Sequence, residues 1–246
     1  MRTAALVSIF AGLAAISTCG VPLHAQDSPG FGGIQSFGFS TTWSPSSSHI
    51  LIGDAEQRRI WTLGAEYTHL LSRGPYFRLD YEGSIMPLYE ETDPIVDGTS
   101  FIFAGQTILT PEPPTRIIYA IRGPIGTVVG PGGTVSPIIA LTGREDTYAA
   151  AFTPLGARVS ALPRWRIQPS FSVDLGFVLA ARDIPIDNSD WFNYLFSFGP
   201  GVQIFTDAHT SWRLEYIYRH TSNAGQGAQN PGVDQGVVRV TLSLHR

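Results

Sequence analysis

The chain has 246 residues, a formal net charge of −4, no Lys and a single Cys. A nucleic-acid partner is not expected, because such partners usually meet a basic patch. A P-loop is excluded as well, since the glycine-rich stretch at 130–135 has no lysine that would reach a phosphate.

The first residues have the pattern of a secretory signal peptide. One Arg is followed by an apolar run from Ala4 to Ile16 and then by small residues. We predict a signal peptide at 1–25, cleaved after Ala25, and a mature chain at 26–246. Cys19 lies in the removed segment, so no disulfide or cysteine metal site is expected in the mature chain.

Three segments of the mature chain alternate between apolar and polar residues with a period of two. They are YFRLDYEGSI near 76–87, RIQPSFSVDLGFVLA near 166–180 and WFNYLFSFGPGVQIF near 191–205. A period of two predicts a β-strand with one apolar and one polar face.

Eight such strands are predicted in all, and each is long enough to cross a bilayer at a tilt, which takes about 9 to 11 residues. The connections alternate between short turns and longer loops, an arrangement typical of outer-membrane barrels with short periplasmic turns. The sequence therefore predicts an all-β fold, an eight-stranded antiparallel outer-membrane β-barrel with long extracellular loops. The predicted strands lie near 34–43, 59–71, 76–87, 147–160, 166–180, 191–205, 212–222 and 235–245.

The polar faces of these strands carry many charged residues. An apolar sandwich core would accept such charges only at a heavy desolvation cost, whereas inside a small barrel they pair with one another. We therefore expect these charges in the barrel interior and the apolar faces towards lipid. They are Glu66, Arg78, Asp80, Glu82, Arg158, Asp174, Arg213, Glu215, Arg219 and Arg239.

Segment 88–146 is the part of the chain with the least regular pattern. It is rich in Pro and Gly and contains apolar runs such as FIFAG and TRIIYAI. Two readings stay open: a long extracellular loop or insertion that acts as a lid, or an extra hairpin that would raise the strand count to ten.

The stretch YRHTSNAGQGAQNPGVD at 218–234 brings together the residue types of a nucleophilic hydrolase. On the seventh strand His220 and Ser222 share the outward face, and Asp234 lies on the outward face of the eighth. In an esterase Ser222 would attack the substrate, His220 would transfer protons and Asp234 would orient the imidazole. Asn223 and the turn that follows would supply oxyanion donors. A polar surface loop is the alternative, since Asn, Gly and Pro are common in hairpin loops.

The run HTSNAG followed by NPGVD resembles the C-terminal signature of the lipid A 3-O-deacylase (PagL) family, also labelled acyloxyacyl hydrolases. The family's His-x-Ser-Asn-Ala-Gly run and its later acid fall on residues 220 to 225 and on Asp234. The acid is Asp here, where the best-known members have Glu. The resemblance implies catalytic roles for His220, Ser222 and Asp234, and oxyanion or substrate-binding roles for Asn223, Ala224 and Gly225.

The resemblance also implies the substrate and the compartment. Lipid A of lipopolysaccharide, in the outer leaflet of the outer membrane, would lose its ester-linked 3-hydroxyacyl chain without a cofactor or metal, and the protein would pair as a homodimer. Two alternatives stay open: a non-catalytic structural or binding barrel, and an esterase that acts on other acylated lipids such as phospholipids. Three arginines of the predicted extracellular loops, Arg58, Arg144 and Arg182, would either meet lipid A phosphates or be solvated.

Overall fold

The computed structural model describes residues 31–246, so the predicted signal peptide lies outside the described residues. The described chain is almost entirely β-structure, with one short 3-10 turn at Pro131–Gly133. The ten strands are β1 Gln35–Ser44, β2 Arg59–Arg73, β3 Phe77–Phe103, β4 Gln106–Arg116, β5 Gly126–Val129, β6 Val135–Ala161, β7 Ile167–Ile184, β8 Asp190–Phe205, β9 Thr210–Ser222 and β10 Val233–His245.

Eight of these strands form a closed antiparallel ring. Neighbouring strands pair in the order β3-β2-β1-β10-β9-β8-β7-β6, and β3 also pairs with β6, which closes the ring. Closure leaves no free strand edge around the wall, as a lipid environment requires. The predicted eight-stranded barrel is therefore confirmed, and each predicted strand overlaps a strand of the ring.

The long segment 88–146 is a structured extension of two barrel strands. Strands β3 and β6 are each 27 residues long, more than twice the length that crosses a bilayer. They remain paired to Ser100 and Ile139 beyond the barrel. Strand β4 pairs with the extension of β3, and β5 pairs with that of β6. The segment therefore adds two strands to the sheet, which gives ten in the described residues, without adding any to the ring.

The barrel interior holds the charges that the alternation predicts there. All ten of the predicted charged residues are buried. Arg213 is central: its guanidinium donates to Glu215 at 2.9 Å and to Glu82 at 3.1 Å. Arg239 continues the network to Glu215 at 2.6 Å and to Asp174 at 3.1 Å. Mutual pairing reduces the cost of removing these charges from water.

The outer wall is apolar and carries tryptophans at both ends. Trp43, Trp61 and Trp191 lie at the end with the long connections, and Trp165 and Trp212 lie at the end with the short turns. All five are exposed, which is the arrangement of interfacial aromatic belts. No helix in residues 31–246 is long and apolar enough to cross a membrane. Between the belts the exposed apolar side chains include Phe37, Phe39, Leu63, Ile85, Phe152, Leu155, Phe171, Leu214 and Leu244.

The three loop arginines have different surroundings, and only Arg58 departs from the expectation. Arg58 is fully buried and pairs with Asp93 at 3.3 Å, so its expected place among phosphates or in solvent is wrong. Arg182 pairs with Glu145 at 2.6 Å, and Arg144 donates to a backbone carbonyl of the β1–β2 loop. These cations are used to hold the extracellular loops together.

Candidate active site

The candidate site lies on the outer wall where β9 ends and β10 begins. Odd-numbered residues of β9 from 211 to 221 are buried in the barrel, whereas the even-numbered ones face outwards. His220 and Ser222 therefore share the outward face, two residues apart, as the alternation predicts. Asp234 is the direct cross-strand partner of His220 in the β9–β10 pair.

His220 and Asp234 form a close pair. The imidazole Nδ1 lies 2.7 Å from Asp234 Oδ1. Because a carboxylate accepts hydrogen bonds, the proton of a neutral imidazole lies on Nδ1 and Nε2 is left as the acceptor. Aspartate at this position therefore reaches the imidazole without the additional methylene of Glu.

Asp234 also accepts hydrogen bonds from groups that the sequence pattern does not reveal. The Tyr218 hydroxyl donates to Oδ1 at 2.7 Å. The backbone N–H groups of Ile50, Leu51 and Ile52 converge on Oδ2 at 3.3, 2.6 and 2.9 Å. This many donors favour the ionised carboxylate. The side chain is fully buried under the β1–β2 loop, although it projects from the outer wall.

Two glycines let the loops approach this pair closely. A Cβ at Gly53 would lie 2.6 Å from the backbone N of Asp234, and a Cβ at Gly232 would lie 2.9 Å from Cε1 of His220. Gly232 also has φ +62°, which disfavours side chains. Both positions therefore require glycine for the loops to close over the imidazole and the carboxylate.

The predicted oxyanion residues form a tight turn after Ser222. The Asn223 amide donates to the carbonyl of Gln229 at 2.8 Å, and its oxygen accepts from the N–H of Gly225 at 2.9 Å. These two groups are thus engaged within the turn. Ala224 has φ +53° and is exposed, and within residues 31–246 its N–H donates to no acceptor.

Aromatic side chains of β8 continue the outer wall beside the site. Phe196 is the cross-strand partner of His220, and Tyr194 is that of Ser222. Phe198 packs on Tyr218 with ring centroids 5.2 Å apart. An apolar surface of this kind suits a hydrocarbon chain that leads to the Ser222 hydroxyl. Among residues 31–246 no group of three or more metal-ligating side chains is found.

Comparison with known proteins finds a family model that matches the segment containing this site. Residues 148–243 match the family model described as Lipid A 3-O-deacylase (PagL), which confirms the resemblance for the part of the chain that contains His220, Ser222 and Asp234. No curated protein matches the chain. A solved structure described as "Crystal structure of the outer membrane enzyme PagL" aligns with a TM-score of 0.49 and 12% identity, over 85% of this chain and 99% of that one.

Proposed function

We propose that this protein is an outer-membrane esterase that hydrolyses the ester-linked 3-hydroxyacyl chain at position 3 of lipid A by a Ser–His–acid mechanism. The observation that carries the proposal is the 2.7 Å contact between His220 and Asp234, on the same outward face as Ser222. The match of the surrounding segment to the deacylase family model supports the substrate.

The first half of the reaction transfers the acyl chain to the protein. The Ser222 hydroxyl oxygen attacks the ester carbonyl while its proton passes to Nε2 of His220. Asp234 stabilises the imidazolium that forms and holds the ring in place. The tetrahedral intermediate then collapses, the protonated imidazole donates its proton to the departing sugar oxygen, and an acyl-serine ester remains.

The second half returns the serine. His220 accepts a proton from a water molecule as that water attacks the acyl-serine carbonyl. The tetrahedral intermediate then collapses, the bond between the acyl carbon and the Ser222 oxygen breaks, the imidazolium returns its proton to that oxygen, and the 3-hydroxy fatty acid leaves. In both halves the negative charge on the carbonyl oxygen needs a nearby donor. We assign this role to the N–H of Ala224, because the Asn223 amide and the Gly225 N–H already donate within the turn.

The outward position of the site suits this substrate. Acyl chains of an outer-leaflet lipid lie against the barrel wall, so the scissile ester reaches Ser222 without leaving the membrane. The imidazole, whose side chain is 12% exposed, lies near the end of the barrel that carries Trp43, Trp61 and Trp191, where lipid meets water. The expected homodimer and the absence of a nucleic-acid partner stay predictions.

The test is to express the wild type and Ser222→Ala in a bacterium of known lipid A and to weigh the extracted lipid A by mass spectrometry. We expect one 3-hydroxyacyl mass to be lost with the wild type and none with the variant. Ser72→Ala is the matched control, since Ser72 is exposed at the opposite end of the barrel. Intact lipid A with a folded wild type would contradict the proposal, and transfer of the assay to phospholipid vesicles would then test the alternative esterase.

A further inference from the structure

Segment 115–119 crosses the extracellular mouth of the barrel. The guanidinium of Arg58, at the start of β2, donates to the carbonyls of Ile117 and Ile118 at 2.5 and 3.0 Å and to that of Pro185 at 3.3 Å. Pro185 follows β7, which lies on the far side of the ring from β2. One buried side chain therefore ties the segment to two loops from opposite walls.

An open, groove-like cavity of about 550 Å³ is lined in part by this crossing segment. Its walls are 115–119, the β7–β8 loop at 186–188, and Gln229 in the β9–β10 loop. The volume is in the range of small-molecule sites, about 300 to 1,000 Å³. The cavity is therefore built in part from the long insertion and in part from the loop that follows Ser222.

Hydrogen bonds connect the cavity wall to the active-site turn. The carbonyl of Gln229 accepts from the Asn223 amide at 2.8 Å, and the N–H of Gln229 donates to the carbonyl of Asn188 at 3.1 Å. Asn223 directly follows Ser222 in the chain. A molecule whose acyl ester lies at Ser222 would thus have its headgroup next to this cavity.

The lining side chains favour a neutral, hydroxyl-rich ligand. The Asp187 carboxylate, the amides of Asn188 and Gln229, and the exposed ring of Tyr119 offer donors, acceptors and a flat apolar face. Arg116 is buried and pairs with Asp187 and Asp93, so its charge is already compensated. Among the described lining residues no other cation is present, which argues against a phosphate as the group recognised here.

We propose that this cavity is a saccharide subsite, which receives a sugar of the substrate headgroup while the acyl ester lies at Ser222. The inference rests on the proposed function for the identity of the substrate. In this proposal Tyr119, which belongs to the insertion, helps the protein to select glycolipids over simple acyl esters.

The test compares three substrates: isolated lipid A, complete lipopolysaccharide, and a sugar-free methyl ester of a 3-hydroxy fatty acid. The variant is Tyr119→Ala/Gln229→Ala, because both side chains are exposed and their loss keeps the Gln229 carbonyl that accepts from the Asn223 amide. We expect the preference for lipid A over the sugar-free ester to fall about 10-fold through KM, which corresponds to about 1.4 kcal/mol and is the size expected for the net loss of one or two neutral hydrogen bonds. The control Tyr76→Ala/Gln106→Ala removes an exposed tyrosine and an exposed glutamine far from the cavity.

The outcomes separate the subsite from the catalytic proposal. A reduced preference with lipid A assigns the cavity to its glucosamine units, and a reduction only with complete lipopolysaccharide assigns it to core sugars. An unchanged preference with both overturns the inference. If the wild type hydrolyses none of these substrates, NMR saturation transfer can measure binding of the acyl-free lipid A disaccharide to the Ser222→Ala protein instead. A binding signal that the Tyr119 and Gln229 substitutions abolish supports the subsite. The absence of a binding signal contradicts it.

Discussion

The β9–β10 hairpin carries charged groups on both of its faces, and the two sets have different surroundings. On the inner face Arg213 and Glu215 belong to a network in which every carboxylate is close to a guanidinium. On the outer face Asp234 meets one imidazole, one hydroxyl and three backbone N–H groups, and among residues 31–246 it has no arginine partner.

This difference indicates different roles for similar residue types. Inside the barrel the charges cancel, which suits a rigid scaffold. Outside, the carboxylate is stabilised by neutral donors, so its charge remains available to the imidazole when His220 takes up a proton. The variants below separate the two sets, since the outer residues should control turnover and the inner ones stability.

The largest effect is expected from Asp234→Asn, which removes the outer charge and keeps the size of the side chain. An amide in this position favours the wrong imidazole tautomer, so we expect kcat to fall about 10⁴-fold with little change in KM. Lipid A hydrolysis with purified protein measures this. Asp207→Asn, in an exposed turn at the other end of the barrel, is the control. A fall in kcat of less than about 10-fold would contradict a role for Asp234 in orienting the imidazole.

The next effect is expected from Glu215→Gln on the inner face. The substitution leaves Arg213 and Arg239 with fewer buried partners, which should lower the free energy of unfolding by about 3 kcal/mol. Urea unfolding in vesicles, followed by tryptophan fluorescence, measures it. Turnover per folded molecule should stay near that of the wild type. Glu112→Gln, at an exposed position of β4, should change stability by less than about 0.5 kcal/mol.

A smaller effect is expected from Tyr218→Phe, because it removes one of several donors to Asp234. Loss of one hydrogen bond to a charged group predicts a fall in kcat of about 10-fold, with KM unchanged. Tyr216→Phe is the matched control, two residues earlier on the same outward face. Equal losses in the two variants would mean that Tyr218 only supports the fold and does not position the carboxylate.

Most of the barrel was predictable from the sequence because its strands alternate strictly. The period of two assigns Arg213 to the interior and His220 to the lipid side, and both assignments agree with the observed burial. The extension of β3 and β6 was less predictable, since Pro and Gly interrupt the alternation between 88 and 146. Pairing there depends on the partner strand more than on the local pattern.

The surroundings of Asp234 could not be predicted for a different reason. Three of its donors are backbone N–H groups at 50–52, and every non-proline residue has such a group, so the side chains there give no signal. One residue of the sequence is consistent with this arrangement: Gly53 has no Cβ, which allows the loop to approach Asp234. The engagement of the Asn223 amide with Gln229 is likewise a property of the folded loop.

The most direct test of the central claim is covalent labelling of the wild type with a fluorophosphonate, followed by mass spectrometry of the peptides. The account predicts one adduct, on Ser222, which His220→Ala and Asp234→Asn abolish or strongly slow. The account would be contradicted if the protein removes acyl chains from lipid A efficiently but is labelled on another serine or on no serine.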